Sequence, residues 1–214
     1  MNRREKPQYV VVIKSRQLGL SQLGCALSAW KCLFKSGQDA LIISEDDDKT
    51  KHLWNSYTLP IYRQLPWFLR PEASSISIES GIMLDTNPKE THVVGLKSSI
   101  RIIAANSTGH AGQGRKLNMF HGSEFTSWPT FNDVIERGIE NALYEDKDTI
   151  AILESTAKGS GTPTHSFWNK MARLGESAKW ETVFLPYFTD RTHVLAPHRG
   201  WVLTAKDEKR RDTV

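Results

Sequence analysis

The side chains with the clearest chemical potential follow the first apolar segment of the chain. A continuously apolar, largely β-branched run leads to Lys14, a polar turn containing Gly19 follows, and a helical pattern begins at Ser21. This order of strand, glycine-bearing turn and helix is a phosphate-binding arrangement, because backbone N–H groups at a helix N-terminus favour an anion. We predict a phosphate site here; an ordinary strand–helix turn with a helix cap is the alternative that spacing alone leaves open.

The turn departs from the usual phosphate-loop pattern G-x-x-x-x-G-K-[ST]. Gly19 and Ser21 match that pattern. Leu20 stands at the lysine position, and Lys14 stands at the position of the first glycine. A cation has to neutralise the β- and γ-phosphates of a bound nucleotide. We expect Lys14 to reach them from the strand tip, Arg16 to contact phosphate oxygens or grip the loop, and Ser21 to offer its hydroxyl to Mg²⁺.

A second candidate is the carboxylate of Glu124, which closes a segment predicted as a strand. A nucleotide hydrolase needs a carboxylate at the end of a neighbouring strand to orient or activate the attacking water. An aspartate linked to Mg²⁺ normally precedes that glutamate, but Ser123 stands there and would hold a metal-bound water more weakly. An exposed loop carboxylate is the alternative for Glu124.

A third strand runs into the Ser/Thr/Gly-rich segment E-S-T-A-K-G-S-G at 154–161. The hydroxyls of Ser155 and Thr156 at such a strand tip can sense the γ-phosphate and couple hydrolysis to motion. A plain polar loop is the alternative for this segment.

Periodicity and turn signals predict an α/β chain. The predicted strands are 9–14, 40–44, 75–79, 81–85, 98–104, 117–121, 149–154 and 181–185. The predicted helices are 21–35, 46–57, 130–143 and 164–174. Strands that alternate with helices predict a mainly parallel central sheet with helices on both faces. No internal linker is evident, so we expect a single domain over 1–214.

Composition narrows the class of protein. The 214 residues are 39% hydrophobic and 24% charged, which is typical of a soluble globular chain. The net charge of +4 permits contact with nucleic acid without demonstrating it. The longest purely apolar run is 9–13, far too short for a membrane span. Cys25 and Cys32 are seven apart, which excludes a disulfide framework within one helix and fits a reducing cytosol.

Five segments in order resemble a known family. They are K-S-R-Q-L-G-L-S at 14–21, A-G-Q-G-R at 111–115, H-G-S-E-F-T-S-W-P at 121–129, L-E-S-T-A-K-G-S-G at 153–161 and F-L-P-Y-F at 184–188. Together they resemble the ATPase domain of the terminase large subunit of tailed bacteriophages, the motor of viral genome packaging. The resemblance implies a P-loop NTPase fold of the class with an additional strand and a catalytic glutamate.

The resemblance also implies residue roles. In this family the Walker A lysine is often displaced to the start of the loop, as Lys14 is here. The ATP-binding loop would comprise Lys14, Ser15, Arg16, Gln17, Leu18, Gly19, Leu20 and Ser21. The form S-E-x-x-x-W-P makes Glu124 the catalytic glutamate, and Mg²⁺ would be held by Ser21 and, through water, by Ser123. Ser155 and Thr156 match the coupling motif.

Arg115 is our candidate for the arginine that terminase motors are thought to receive from a neighbouring subunit. It lies in the glycine-rich stretch before Glu124. A surface arginine that never meets phosphate is the alternative.

Two departures from the family bear on the activities expected of this chain. Family members usually carry a segment before the first strand that holds adenine, whereas eight residues precede Tyr9 here. Members also continue into an RNase H-like nuclease domain, whereas this chain stops at Val214. We therefore expect an isolated motor domain without nuclease activity.

The expected function is Mg²⁺-dependent ATP hydrolysis that drives double-stranded DNA into a procapsid. The implied partners are DNA, the portal protein, the small terminase subunit and further copies of the chain in a ring, with no membrane. The implied location is the host cytoplasm, with transient docking on the procapsid. The alternatives are a helicase-like translocating ATPase, and a non-catalytic remnant that only binds DNA or partners; Leu20 and Ser123 favour the remnant.

Overall fold

One eight-stranded sheet organises the protein. The computed structural model describes residues 6–84, 96–107 and 116–189. The strands are β1 Gln8–Lys14, β2 Asp39–Ser44, β3 Ser75–Ser77, β4 Gly81–Met83, β5 Ser99–Ala104, β6 Met119–Ser123, β7 Ile150–Thr156 and β8 Glu181–Leu185. Their order across the sheet is β3-β4-β5-β2-β6-β7-β1-β8. All pairings are parallel except those of β4 with β3 and β5.

Helices pack on both faces of the sheet, which confirms the predicted α/β class. Helix α1 is Leu20–Phe34. Helix α2 joins Asp47–Leu53, a π-helical stretch Trp54–Thr58 and Leu59–Arg63. Helix α3 joins a π-helical stretch Asp133–Ile139 to Glu140–Ala142, and helix α4 is Pro163–Leu174. No helix in the described ranges is long and apolar enough to span a membrane.

The two faces of the sheet form separate apolar cores because strand side chains alternate. In β2, Ala40 and Ile42 pack with α1 and α2, whereas Leu41 and Ile43 pack with α3 and α4. This alternation explains why β2 is apolar at successive positions: both of its faces are buried. Trp180, which is fully buried, belongs to the core beneath α4.

Helix α2 extends beyond its predicted end at residue 57. Proline lacks an N–H and crowds the carbonyl four residues back, so Pro60 would interrupt an ordinary α-helix. The chain instead widens into the π-helical turn, in which the Leu59 N–H donates to the Trp54 carbonyl. The wider turn lets the helix continue past Pro60 to Arg63.

Strands β6 and β7 also extend beyond their predicted ends. β6 continues to Ser123 and β7 to Thr156, because each pairs with a neighbour up to the edge of the sheet. The strands predicted over 75–79 and 81–85 are shorter, and they form an antiparallel hairpin at one edge. Asp85 lies outside the described residues.

Strand β7 lies between β1, which precedes the predicted phosphate loop, and β6, which precedes Glu124. This is the additional strand expected for the P-loop class. In the register, Glu154 pairs with Val12 of β1 and with Ser123 of β6. Since side chains two residues apart share a face, Lys14, Ser123 and Glu154 project to the same side of the sheet.

Helix α1 approaches β6 closely at Gly24. A Cβ atom at Gly24 would lie 2.5 Å from three ring atoms of His121. His121 is fully buried, so its ring has little room to withdraw. Glycine at position 24 therefore lets α1 pack directly against the middle of β6.

Replacing Gly24 by alanine is expected to destabilise the protein, even though alanine is the better helix former. The added methyl group overpacks the contact with His121, which costs about 1–3 kcal/mol. Urea denaturation of the Gly24→Ala variant measures this loss.

A double-mutant cycle with His121→Ala provides the control. Without the imidazole ring the methyl group has space, so Gly24→Ala should become neutral or stabilising in that background. A loss of the same size in both backgrounds would contradict the proposed contact.

Candidate functional site

The loop between β1 and α1 has the backbone shape of an anion-binding turn. Gly19 is the N-cap of α1 and has φ 72° and ψ 8°, in the left-handed region. Gln17 also has a positive φ, 62°, which is uncommon for a residue with a Cβ. Among the described residues no side chain caps α1. The first-turn amides therefore lack the partner that a capping side chain would supply.

Lys14 lies between two carboxylates at the end of β1. Its Nζ is 3.4 Å from Oε1 of Glu124 and 3.1 Å from Oε2 of Glu154. The Lys14 side chain is only 6% exposed, so this contact is shielded from solvent. The lysine therefore bridges the strand of Glu124 and the strand of Glu154.

Glu124 is held by the residues predicted to be the coupling motif. Its Oε2 accepts hydrogen bonds from Ser155 Oγ at 3.1 Å, Thr156 Oγ1 at 3.3 Å and the Thr156 N–H at 3.4 Å. Its backbone has φ 52° and ψ 43°, again in the left-handed region. Such a conformation in a non-glycine residue is strained, and strain of this kind concentrates at functional sites.

The turn after Glu124 is anchored by two further side chains. Thr126 Oγ1 lies 2.6 Å from Ser155 Oγ and donates to the Thr156 carbonyl at 2.9 Å. The indole of Trp128 donates to the Ser123 carbonyl at 3.1 Å. The turn is thereby tied to β7 on one side and to the end of β6 on the other.

Glu154 is the most buried acid of this region, with no exposed surface. Its Oε1 accepts hydrogen bonds from Ser21 Oγ and Ser123 Oγ, each at 2.7 Å. The Nε2 of His121 lies 3.6 Å from the same oxygen. Its Oε2 faces the Lys14 ammonium. The acid thus contacts residues from β1, α1 and β6.

The charge of Glu154 is maintained by its neighbours. Burial alone would raise the pKa of Glu154, but the neighbouring imidazole of His121 and the charge of Lys14 outweigh it and lower the pKa to about 2. Burial likewise disfavours the charged form of His121, yet its contacts with Cys25 and Glu154 raise the pKa of His121 to about 9. The site therefore holds a buried carboxylate that is ionised at neutral pH.

A pocket of about 390 Å³ opens at this edge of the sheet. Its lining includes the predicted loop and strand-end residues Lys14, Arg16, Gln17, Leu18, Gly19, Leu20, Ser21, Glu124 and Thr156. Lys49 and Lys158 also line it, so four basic side chains face two acidic ones, Glu45 and Glu124. This excess of positive charge favours a polyanionic ligand.

Most of the predicted residues meet at this pocket. Ser15 is set back from it: its N–H donates to the Leu185 carbonyl of β8 at 2.9 Å. Ser123 and Ser155 lie beneath the lining and contact Glu154 and Glu124 respectively. Arg115 lies outside the described residues.

Sequence reasoning missed Glu154, Thr126 and Lys158. An acid at the end of the apolar stretch Ala151–Leu153 was the available signal for Glu154, because a charge in a buried strand needs partners. Lys158 contacts Ser127 Oγ and lies 3.6 Å from Glu45, so it lies against the rim of the pocket. No pattern in the sequence indicated that contact.

The donor set suits Mg²⁺ held jointly with a nucleotide. Within the described ranges there is no cluster of three or more His, Cys, Asp or Glu side chains that could hold a metal ion. Mg²⁺ does not need one, because it usually keeps several waters and takes one or two protein ligands plus phosphates. The hydroxyls of Ser21 and Ser123, 3.4 Å apart beside the ionised Glu154, are hard oxygen donors of the required type.

Known proteins match this chain by structure rather than by sequence. No protein family and no curated protein matches the sequence. Two structures of the large terminase ATPase domain of Thermus phage P74-26, one of them a point mutant, match with a TM-score of 0.58 and 17% identity. These alignments cover 84% and 81% of this chain and 76% and 74% of theirs.

The bacteriophage HK97 large terminase also matches, with a TM-score of 0.58 and 11% identity. That alignment covers 96% of this chain and 43% of the HK97 chain. The predicted resemblance is thus confirmed at the level of the fold: this chain has the fold of a phage large-terminase ATPase domain.

Proposed function

We propose that this chain is an ATP-hydrolysing motor domain that translocates double-stranded DNA during phage genome packaging. One observation carries the proposal. The loop after β1, Glu124 after β6 and Thr156 at the end of β7 all line one basic pocket on the same edge of the sheet, and Ser155 beneath it binds Glu124. In open α/β sheets, ligands bind at the carboxyl ends of the strands, where these groups lie.

In this proposal the loop binds the phosphates of ATP. The first-turn amides of α1 face the anion, and Arg16 and Lys14 add positive charge. Lys14 replaces the usual lysine because Leu20 occupies that position. Lys14 exchanges part of its contact with Glu124 for phosphate oxygens when the nucleotide binds.

Glu124 is the proposed catalytic glutamate. It orients the attacking water and accepts its proton, which is the role of a general base. Ser155 and Thr156 bind the carboxylate in place, so loss of the γ-phosphate would reach β7 through Glu124. Ser21, and Ser123 through water, would hold Mg²⁺, which would neutralise charge at the phosphates.

The assembled motor would need partners. Arg115 of a neighbouring copy is the proposed arginine that stabilises the transferring phosphoryl group. DNA would be held through its phosphates, without sequence preference and with a strong dependence on salt. The portal protein and the small terminase subunit complete the proposed assembly, and nuclease activity is not assigned to residues 1–214.

Glu124→Gln is expected to lower ATP hydrolysis by about 10²–10⁴-fold, because the amide cannot accept a proton from water. Hydrolysis is measured at high protein concentration with Mg²⁺ and double-stranded DNA, so that neighbouring copies can contribute their arginines. Glu136→Gln, which removes an exposed glutamate of α3, is the matched control. Turnover by Glu124→Gln within a few-fold of wild type would contradict the assignment.

Lys14→Ala is expected to abolish binding of a non-hydrolysable ATP analogue, since Leu20 cannot replace the lost cation. It should also destabilise the fold by about 3–5 kcal/mol, because Glu154 keeps a buried charge without its ammonium partner. For each variant, the rise in Tm caused by the ATP analogue is therefore measured relative to the Tm of the same variant without the analogue. Lys14→Arg keeps the charge and tests the stability effect separately. An undiminished Tm rise in Lys14→Ala would exclude Lys14 as the phosphate-binding cation.

Ser155→Ala is expected to lower kcat by up to about 100-fold, because it removes a hydrogen bond that orients Glu124. The KM for ATP should change little, since Ser155 does not line the pocket. Ser166→Ala removes an exposed hydroxyl of α4 and is the control. A rise in KM with unchanged kcat would show that Ser155 acts in binding instead.

A further inference from the structure

The proposed roles leave Glu154 unexplained. Glu154 is fully buried, and burying a carboxylate costs free energy unless its charge is paired or serves a metal site. Glu154 ends the apolar part of β7, and neither the water-orienting role nor the phosphate-binding role uses it. Its position between the loop serine and the serine before Glu124 points to a role in the metal site.

The hydrogen bonds of Glu154 orient both serine hydroxyls. A hydroxyl that binds a cation does so through an oxygen lone pair, so its proton needs an acceptor elsewhere. Ser21 and Ser123 both donate to Oε1 of Glu154 at 2.7 Å. With their protons turned toward the carboxylate, the lone pairs of the two oxygens remain free for a cation or for its water.

The strand register places the carboxylate of Glu154 on β7 beside the position on β6 where a metal-linked acid normally stands. The residue before the catalytic glutamate is normally the acid linked to Mg²⁺, and here it is Ser123, which has no charge. Ser123 pairs with Glu154 in the parallel register of β6 and β7. The negative charge missing from β6 is therefore present on the adjacent strand, within hydrogen-bond distance of the residue that would have carried it.

The two oxygens of Glu154 have different neighbours. Oε1 faces the serines, whereas Oε2 faces the Lys14 ammonium at 3.1 Å and has no hydrogen-bond partner among the described residues. One carboxylate can therefore serve the lysine and the metal-binding hydroxyls together. A serine at position 123 alone offers no negative charge for either cation.

We propose that Glu154 supplies the acidic group of the Mg²⁺ site, displaced from β6 to β7, and acts by positioning the hydroxyls of Ser21 and Ser123. The inference rests on the proposed function, since it concerns Mg²⁺ bound with a nucleotide. Glu154 is a positioning residue, because it acts on the metal through the two serines.

The test measures metal binding rather than turnover. Mn²⁺ replaces Mg²⁺ as a paramagnetic probe, and its affinity for the full chain with saturating ADP is measured by electron paramagnetic resonance. Glu154→Gln keeps the shape and removes the charge, so Mn²⁺ affinity should fall by about 10–100-fold. ADP affinity in EDTA, measured by calorimetry, should change less than about threefold, because Glu154 does not line the nucleotide pocket.

A second variant returns the acid to β6. The double variant Ser123→Asp/Glu154→Gln places a carboxylate at the position where Ser123 now lies, and Mn²⁺ affinity should recover to within about threefold of wild type. A role of Glu154 limited to packing would not be rescued by an acid on a different strand. Asp148→Asn is the control. It removes one negative charge just before the N-terminal end of β7, far along the strand from Glu154, and should leave Mn²⁺ affinity unchanged.

The outcomes separate the two proposals. Unchanged Mn²⁺ affinity in Glu154→Gln, with ADP still bound, overturns the role of Glu154 and leaves the ATPase proposal intact. Failure of wild type to bind ADP with or without metal overturns the proposed function and this inference with it. If Glu154→Gln does not fold, the double variant decides: retained Mn²⁺ affinity supports the displaced acid, and its loss overturns it.

Discussion

The buried charge of Glu154 is the constraint on which the geometry of this edge of the sheet depends. Removing a carboxylate from water costs several kcal/mol unless partners compensate it. Those partners are Lys14 from β1, Ser21 from α1, and His121 and Ser123 from β6. Compensation thus requires two strands and one helix to approach β7 together, and the close contact of α1 with β6 follows from it.

A second network, around Glu124, is built on the first. Lys14 contacts both acids, so the buried and the partly exposed carboxylate share one cation. Ser155 and Thr156 then hold Glu124 from β7, immediately after Glu154 in sequence. A polyanion bound beside Lys14 would change the charge balance in both networks, because Lys14 contacts both carboxylates.

Whether a segment forms a helix or a strand was predictable, because local sequence patterns decide it. Where each helix or strand ends was not, because that depends on contacts with other parts of the chain. The continuously apolar runs of β1 and β2 are typical of strands buried on both faces, and the structure places a core on each side. The passage of α2 beyond Pro60 required a π-helical turn that no local pattern announces. The antiparallel hairpin of β3 and β4 similarly depends on pairing with β5, far away in sequence.

The sequence by itself indicated the predicted phosphate loop, the carboxylate of Glu124 and the hydroxyls of Ser155 and Thr156, because these lie in short contiguous motifs. Only the tertiary structure revealed Glu154, which contacts Lys14 and Ser21 of the predicted loop and Ser123, the residue before Glu124. Its partners are contributed by separate elements, and strand register brings them together. Register follows from the pairing of whole strands and the packing of both cores, so no single segment encodes it.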